Sequence, residues 1–435
     1  MRPEHAGARP HRLRRLRRFL RPIVHPIVGR RLPPELRADR VGGLCVSLAG
    51  GVEDPAFAAL LERIDDSPIH PSNRVEIYTH GDDAFSAMSE AIEVAYEEVL
   101  LESYILRDDT VGRRFLDLLA AAVERGVTVR VLADAVGSFS TRRAFWREMA
   151  DRGIELRLFH PLFSGLWNQV FRDHRKILVV DRQIGFTGGM NLSEDYGSFS
   201  RSRKKGGTWR DTHVRVIGSA AWEMAVVFSE GWERTGGDSL KIHPLAVPQH
   251  PKPGAGILVL DSRPFRGHHE SASVLVAIAA AARRTLWITN AYFAPGQAAV
   301  RELGDAARRG VDVRLLLPGK TDAPIVRYAS HGMYADLLAA GVRIFEYQAA
   351  VLHAKSLVAD GHLALVGSSN LDFRSFFFNA ECNLVIFDKD SARTLEQAFA
   401  TDLAKSEEIL PGPWQARSLA HRLRDGLARC LAPIL

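Results

Sequence analysis

Two segments of this 435-residue chain carry the same polar side chains at the same spacing. In DHRKILVVDRQIGFTGGMN they are His174, Lys176, Asp181 and Asn191; in LHAKSLVADGHLALVGSSN they are His353, Lys355, Asp360 and Asn370. In each, the lysine follows the histidine by two positions and the asparagine follows it by seventeen. The run Ile177-Leu178-Val179-Val180 is β-branched and aliphatic, which predicts a buried strand. Residues two apart share a face of a strand, so each histidine projects together with its lysine. A single His-x-Lys is cheap; two copies that also share the asparagine spacing are not.

If the copies meet, they assemble two imidazoles, two ammoniums and two carboxamides with no metal-ligand spacing, a set suited to phosphodiester chemistry without a cation or other cofactor. One neutral histidine attacks phosphorus. The other, protonated, donates to the leaving oxygen and then serves as base for the incoming hydroxyl. Lys176, Lys355, Asn191 and Asn370, with Ser368 of the Gly-Ser-Ser-Asn run, form the expected phosphate-binding set. A histidine in these roles needs its second nitrogen held. Glu381 in NAECNLVIF, 28 residues after His353, and Asp211 in WRDTHVRVI are the orienting carboxylates, and Asp211 is the expected partner of His174. Asp181 and Asp360 complete the motif and are counted with the catalytic set. Their places at strand ends, before Arg182 and Gly361, predict hydrogen bonds to the turns instead. His268-His269-Glu270 lacks partners at metal-ligand spacing and reads as a solvated loop.

The elements that must position these residues repeat as well. RVEIYT, VLLESYIL, VTVRVLAD and IELRLFH predict strands, with helices over 82–95, 111–125, 141–151 and 220–233. After a Pro- and Gly-rich linker at 244–256, LWITNAYFAP answers LLESYILRDD, VDVRLLLP answers VTVRVLAD, and AAGVRIFEY answers DRGIELRLF. The two copies are offset by 184 residues at Gly126 and Gly310 and by 179 at the histidines. An internal duplication follows, with halves at 67–243 and 257–410 packed face to face about a pseudo-twofold axis and one site between them.

Both ends differ from the body. Residues 1–40 hold twelve arginines against three acids, so this stretch carries +9 and leaves −3 for the remainder of a chain whose net charge is +6. A basic groove for nucleic acid across the body is therefore not expected. In HRLRRLRRFLRPIV, Leu13, Leu16, Leu20 and Ile23 make one apolar stripe among arginines, so 1–66 is read as a basic amphipathic segment for an anionic phospholipid membrane. The tail 411–435 places Trp414, Leu419, Leu423, Leu427 and Leu431 near one helical face, which suits either core packing or membrane contact. No run of 18 apolar residues predicts a membrane span. Three scattered cysteines, Cys45, Cys382 and Cys430, give no disulfide framework and indicate a reducing compartment, hence the cytoplasmic side. Arg201–Lys205 reads as a mobile basic loop, with steering of anionic head groups as the alternative.

The paired H-x-K-x4-D elements with their G-G-x-N and G-S-x-N followers resemble the phospholipase D superfamily. The segments LESYILRDDTVGRRF, WRDTHVRV, TNAYFAP, LLPGKTDAPIVRYAS and NAECNLVIFD are similar to those of bacterial cardiolipin synthases, over about residues 70–405. The resemblance implies an internally duplicated α/β fold of two mixed-sheet domains with one active site at their interface. It also implies transfer of a phosphatidyl group between phosphatidylglycerol molecules through a phosphatidyl-histidine, with His174 as nucleophile and His353 as acid and base. Many members begin with two membrane-spanning helices; this chain resembles the shorter subgroup that attaches peripherally. Hydrolysis by water and a nuclease activity are the rival readings within the superfamily.

Overall fold

The computed structural model describes residues 41–160, 171–197, 208–242, 254–262 and 270–432. The basic head 1–40, the Arg201–Lys205 loop, His268, His269 and most of the expected linker lie outside the described residues.

The first half contributes strands β1 (His70–Tyr78), β2 (Glu98–Ser103), β3 (Thr128–Asp134), β4 (Glu155–Phe159), β5 (Arg172–Asp173), β6 (Lys176–Val180), β7 (Ile184–Gly188) and β8 (His213–Ile217). The second contributes β9 (Ala255–Ser262), β10 (Thr285–Asn290), β11 (Phe293–Ala294), β12 (Asp312–Lys320), β13 (Arg343–Val351), β14 (Lys355–Ala359), β15 (Leu363–Gly367), β16 (Leu371–Asp372), β17 (Asn379–Phe387) and β18 (Ser406–Ile409). Outward from the middle, the first half runs β1-β8-β7-β6-β2-β3-β4 and the second runs β9-β17-β15-β14-β10-β12-β13, with β18 added at its edge. The repeated order is the duplication seen in three dimensions.

The halves were expected face to face, but they join edge to edge. β1 and β9 pair antiparallel at His70↔Ile257 and Asn73↔Ala255, with a register shift between the two pairs, so a single sixteen-stranded sheet crosses the molecule. Asn73 staples the seam. Its amide donates to the His70 carbonyl at 2.7 Å and the Ala255 carbonyl at 3.3 Å, and its Oδ1 accepts from Ala220 N at 3.0 Å.

The unbroken apolar run of β6 follows from burial on both faces. Leu178 and Val180 pack with the helices Gly81–Glu93 and Thr110–Glu124, whereas Ile177 and Val179 pack with Ser219–Arg234. On that second face the core is continuous across the seam, since Val214, Ile257, Val358 and Leu384 belong to the same cluster. Residues 41–65 also depart from the expected N-terminal segment: Val41, Cys45, Val52, Phe57 and Leu61 are buried in the core of the second half. They cover Glu270–Ala281, a helix with no single apolar stripe because nearly all of its residues are buried. Glu270, read in sequence as part of a solvated loop, opens that helix and is itself buried.

Asp181 and Asp360 stand at the far ends of β6 and β14 from the lysines, about 16 Å away at the rise of a strand. Asp181 accepts from the backbone N–H groups of Tyr96 at 3.1 Å, Glu97 at 2.8 Å and Glu98 at 2.9 Å. Asp360 accepts from Arg283 at 2.9 Å, Arg284 at 2.7 Å and Thr285 at 2.9 Å. Each thus fixes the start of the neighbouring strand, β2 or β10, and neither reaches the histidines, which corrects their place in the catalytic set. Asp360→Ala should therefore lower stability by about 2–3 kcal/mol, because buried donors lose their acceptor. Activity per folded molecule should stay within about threefold of the parent, as read by thermal melting and single-turnover assay of the same sample.

Candidate active site

Each histidine enters the seam beside a strand of the opposite half. β5 leaves its own sheet and pairs in parallel with β17, Arg172 opposite Asn379 and Asp173 opposite Ala380, after which the His174 N–H donates to the Ala380 carbonyl at 2.9 Å. The mirror contact is a bridge between Arg210 and Leu352, after which the His353 N–H donates to the Arg210 carbonyl at 2.7 Å. The residue following each bridge partner is a carboxylate. The pairing is therefore crossed: His174 Nδ1 lies 3.0 and 3.1 Å from the two oxygens of Glu381, and His353 Nδ1 lies 2.7 Å from Asp211 Oδ2. This corrects the expectation that Asp211 serves His174. Within one half β7 separates β6 from β8, placing the acid two strands, or about 10 Å, from its own histidine. Only the exchange across the seam brings an acid within reach.

With Nδ1 engaged, Nε2 of each ring is left for chemistry. Lys176 Nζ donates to the His174 carbonyl at 2.6 Å and lies 5.3 Å from the centre of the Tyr104 ring. Lys355 Nζ contacts the His353 carbonyl and lies 2.9 Å from Nδ1 and 3.2 Å from Nε2 of the ring. Both lysines and both acids are buried. Burial pulls Lys176 down to about 7 and Lys355 to about 8, and pushes Glu381 up to about 7. Burial, followed by the charge of Lys176, also holds His174 well below the usual imidazole range. His353 is lowered by burial and by Lys355, but the hydrogen bond and charge of Asp211 and the charge of Asp322 work the other way.

The expected phosphate binders divide. Ser368 Oγ donates to Glu381 Oε2 at 2.5 Å and accepts from Cys382 N at 3.0 Å, so its hydroxyl is already spent on the carboxylate. Its counterpart is Gly189, where a Cβ would stand 2.2 Å from Asp211 Oδ1. The shorter acid thus sits against a bare glycine, whereas the longer one is pinned by a hydroxyl. Asn191 accepts from Ile105 N at 3.1 Å and donates to Tyr196 OH at 3.0 Å; that hydroxyl is 3.2 Å from His353 Nδ1, so Asn191 supports the opposite histidine. Asn370 Oδ1 is buried without a hydrogen-bond partner among the described residues, which leaves this carboxamide available to a ligand.

The aromatic wall was missed in the sequence. Tyr104 packs edge-on to His174 at 4.9 Å between centroids; Trp209, Tyr196 and Tyr292 surround His353 at 5.3, 5.8 and 6.0 Å. Tyr292 OH in turn donates to Asp322 at 2.7 Å. The usable signal was position, since Tyr104 directly follows β2 and Tyr292 lies two residues beyond β10, at the ends where α/β sheets place their sites. Arg374, within electrostatic reach of His174, had no signal beyond its proximity to Asn370.

A family model described as "Cardiolipin synthase, PLD-like domain" matches residues 88–203 and 275–403. A cardiolipin synthase of Geobacillus sp. (strain WCH70) is 35% identical over 380 residues, covering 86% of this chain and 75% of that protein. Cardiolipin synthase 2 of Bacillus cereus is 35% identical over 385 residues, covering 86% and 73%. Among solved structures, the phosphatidylserine synthase of Haemophilus influenzae Rd KW20 superposes with a TM-score of 0.67 at 13% identity, covering 87% of this chain and all of that one. A polyphosphate kinase from Porphyromonas gingivalis gives 0.51 at 14% identity, covering 78% of this chain and 48% of its own. At these identities the two structures speak for the fold alone.

The buried charges set a pH window. The His174 Nδ1–H faces an ionised Glu381 only above about pH 7, and that state is lost as pH falls through about 7. The lysine charges are lost as pH rises through about 7 for Lys176 and about 8 for Lys355. kcat/KM is therefore expected to peak near pH 7 and to fall on both sides. Glu381→Gln should cost about 10²-fold and flatten the acid limb. A pH profile of that variant identical to the parent's would contradict the pairing.

Proposed function

The chain belongs to the cardiolipin synthase family with its phospholipase-D-like domains, and from that premise we propose that it transfers a phosphatidyl group from one phosphatidylglycerol to another, releasing glycerol. The observation that carries the reading is the crossed pairing, which gives one seam two imidazoles whose Nδ1 atoms are both held by buried carboxylates.

In the first half-reaction His174 Nε2 attacks phosphorus and the bond from phosphorus to the glycerol oxygen breaks. His353 gives its proton to that oxygen, and a phosphatidyl-histidine remains. In the second, His353 takes the proton from the head-group hydroxyl of the second phosphatidylglycerol. That oxygen attacks phosphorus, the P–N bond breaks and His174 is restored. Two differences between the halves support this division of roles. His174 is held neutral by burial and nearby cations, as a nucleophile must be. His353 has the shorter carboxylate contact, 2.7 against 3.0 Å, together with the charge of Asp322, and is better able to keep the proton an acid must carry. Lys176 and Lys355 lie beside both rings to balance charge on the phosphoryl oxygens, and Asn370 is placed to receive a substrate oxygen or hydroxyl.

The substrate class places the enzyme at an anionic phospholipid surface. Among the described residues no helix is long and apolar enough to cross a membrane. On this reading attachment is peripheral, through the basic amphipathic sequence of 1–40, and on the cytoplasmic side, which three free cysteines favour.

Purified protein on vesicles of phosphatidylglycerol, with lipid products resolved by mass, should yield cardiolipin and glycerol in equal amounts. Phosphatidic acid as the sole product would replace transfer by hydrolysis. His174→Ala and His353→Ala should each lower turnover by about 10³-fold or more, and full activity in either would contradict the mechanism.

A further inference from the structure

The helix Leu419–Leu431 is packed with its leucines outward. Leu419, Leu423, Leu427 and Leu431, each four residues from the next, are 69%, 58%, 69% and 43% exposed. Turned inward are Ala428 and an aspartate, Asp425. This is the reverse of a helix that covers a core.

The orientation is locked rather than incidental. Asp425 pairs with Arg417 at 2.7 Å and Arg424 at 2.8 Å, and lies 3.8 Å from His331. Arg429 donates to the Gly332 carbonyl at 2.7 Å and pairs with Asp336 at 3.0 Å. The helices approach so closely that a Cβ on Gly332 would stand 2.8 Å from the Asp425 carbonyl oxygen. Rolling the leucines inward would break all of these contacts. Trp414, which the sequence grouped with the leucines, sits on a separate short helix and is buried against Tyr334, 4.8 Å between centroids.

Among the described residues nothing covers the outward stripe, and the helix that bears it is net cationic. The helix holds three arginines against one acid: Arg424 pairs with Asp425 and Arg429 with Asp336, while Arg422 stays exposed at the border. The stripe also points towards the site. Arg424 lies over the ring of Tyr328 and Arg429 reaches Gly332 and Asp336, so the helix runs parallel to Pro324–Ala339. Its Leu419 end therefore faces the Pro324 end of that helix. There Ile325 is also exposed, and Asp322 binds Tyr292 beside His353.

We propose that Leu419, Leu423, Leu427 and Leu431 form the membrane-docking face of the enzyme, seated in an anionic bilayer so that lipid head groups meet the seam at its Asp322–Tyr292 side. The proposal rests on the reading that the substrate is a membrane phospholipid. Leucines enter the interface by burying apolar area, and the exposed Arg422 at the rim meets anionic head groups.

Cys430 provides a native probe, because it is exposed beside the stripe whereas Cys45 and Cys382 are buried. An environment-sensitive fluorophore on Cys430 should shift to the blue with phosphatidylglycerol vesicles, and less so with neutral phosphatidylcholine vesicles. Leu423→Ser/Leu427→Ser should weaken vesicle partition by about 30-fold, leaving melting temperature and turnover of monomeric short-chain phosphatidylglycerol unchanged. Val94→Ser, an exposed apolar residue at the start of the β2 approach, should change neither. An unshifted probe, parental vesicle binding by the double variant, or an equal loss on monomeric substrate would each overturn the assignment. So would a parent that is dimeric and a double variant that is monomeric with vesicle binding intact. If the short-chain product is phosphatidic acid, the synthase reading falls while the docking face is still decided by the vesicle measurements.

Discussion

Two buried imidazole–carboxylate pairs, each made across the seam, are the constraint on which this molecule depends. A carboxylate is kept in a water-poor interior only if hydrogen-bonded and paired, and stripping one partner from a buried ion pair costs about 3–5 kcal/mol. Glu381 meets that demand with His174, Ser368 and Asn379; Asp211 meets it with His353 and Thr212 N. Since neither half contains both members of a pair, neither can build a working histidine alone. The β1–β9 seam, the excursion of β5 onto β17 and the Arg210–Leu352 bridge all serve that exchange.

The duplication is not a mirror, and the departures bear on chemistry. One half supplies Asp211 against Gly189, the other Glu381 against Ser368. Beneath the site only the first half has Arg175, whose counterpart is Ala354. Its guanidinium lies 2.5 Å from Asp261 of the second half and 3.5 Å from Glu102. Burial and neighbouring Asp173 raise Glu102 well above the usual carboxylate range, so the cluster carries less negative charge than its three acids suggest. Unequal surroundings let two identical side chains begin a cycle in opposite protonation states, which a symmetric site would resist.

Much of this was legible in the sequence because the duplication states it twice. The strands that open at Lys176 and Lys355, the helices between parallel strands and the two orienting carboxylates all follow from apolar runs and matched spacings, although the histidines themselves stand just before those strands rather than on them. The crossing of Asp211 and Glu381 did not, since spacing within a half says nothing of how strands exchange across an interface. Ser368 misled for a related reason. A hydroxyl beside an asparagine suits phosphate, and only the position of Glu381 reveals that it is already engaged. Glu270–Ala281 escaped because a helix buried on all sides has no stripe to detect. The outward leucines of Leu419–Leu431 were visible as a stripe, but which way it faced depended on Asp425 and Gly332.

The claim that one histidine of a shared pair becomes covalently bound to lipid has a direct test. The enzyme is mixed with phosphatidylglycerol, quenched within a turnover under conditions that preserve phosphohistidine, and mapped by peptide mass. The account predicts a phosphatidyl adduct on the peptide containing His174, formed as glycerol is released and consumed as cardiolipin appears. Turnover with neither histidine peptide modified at any quench time would contradict it.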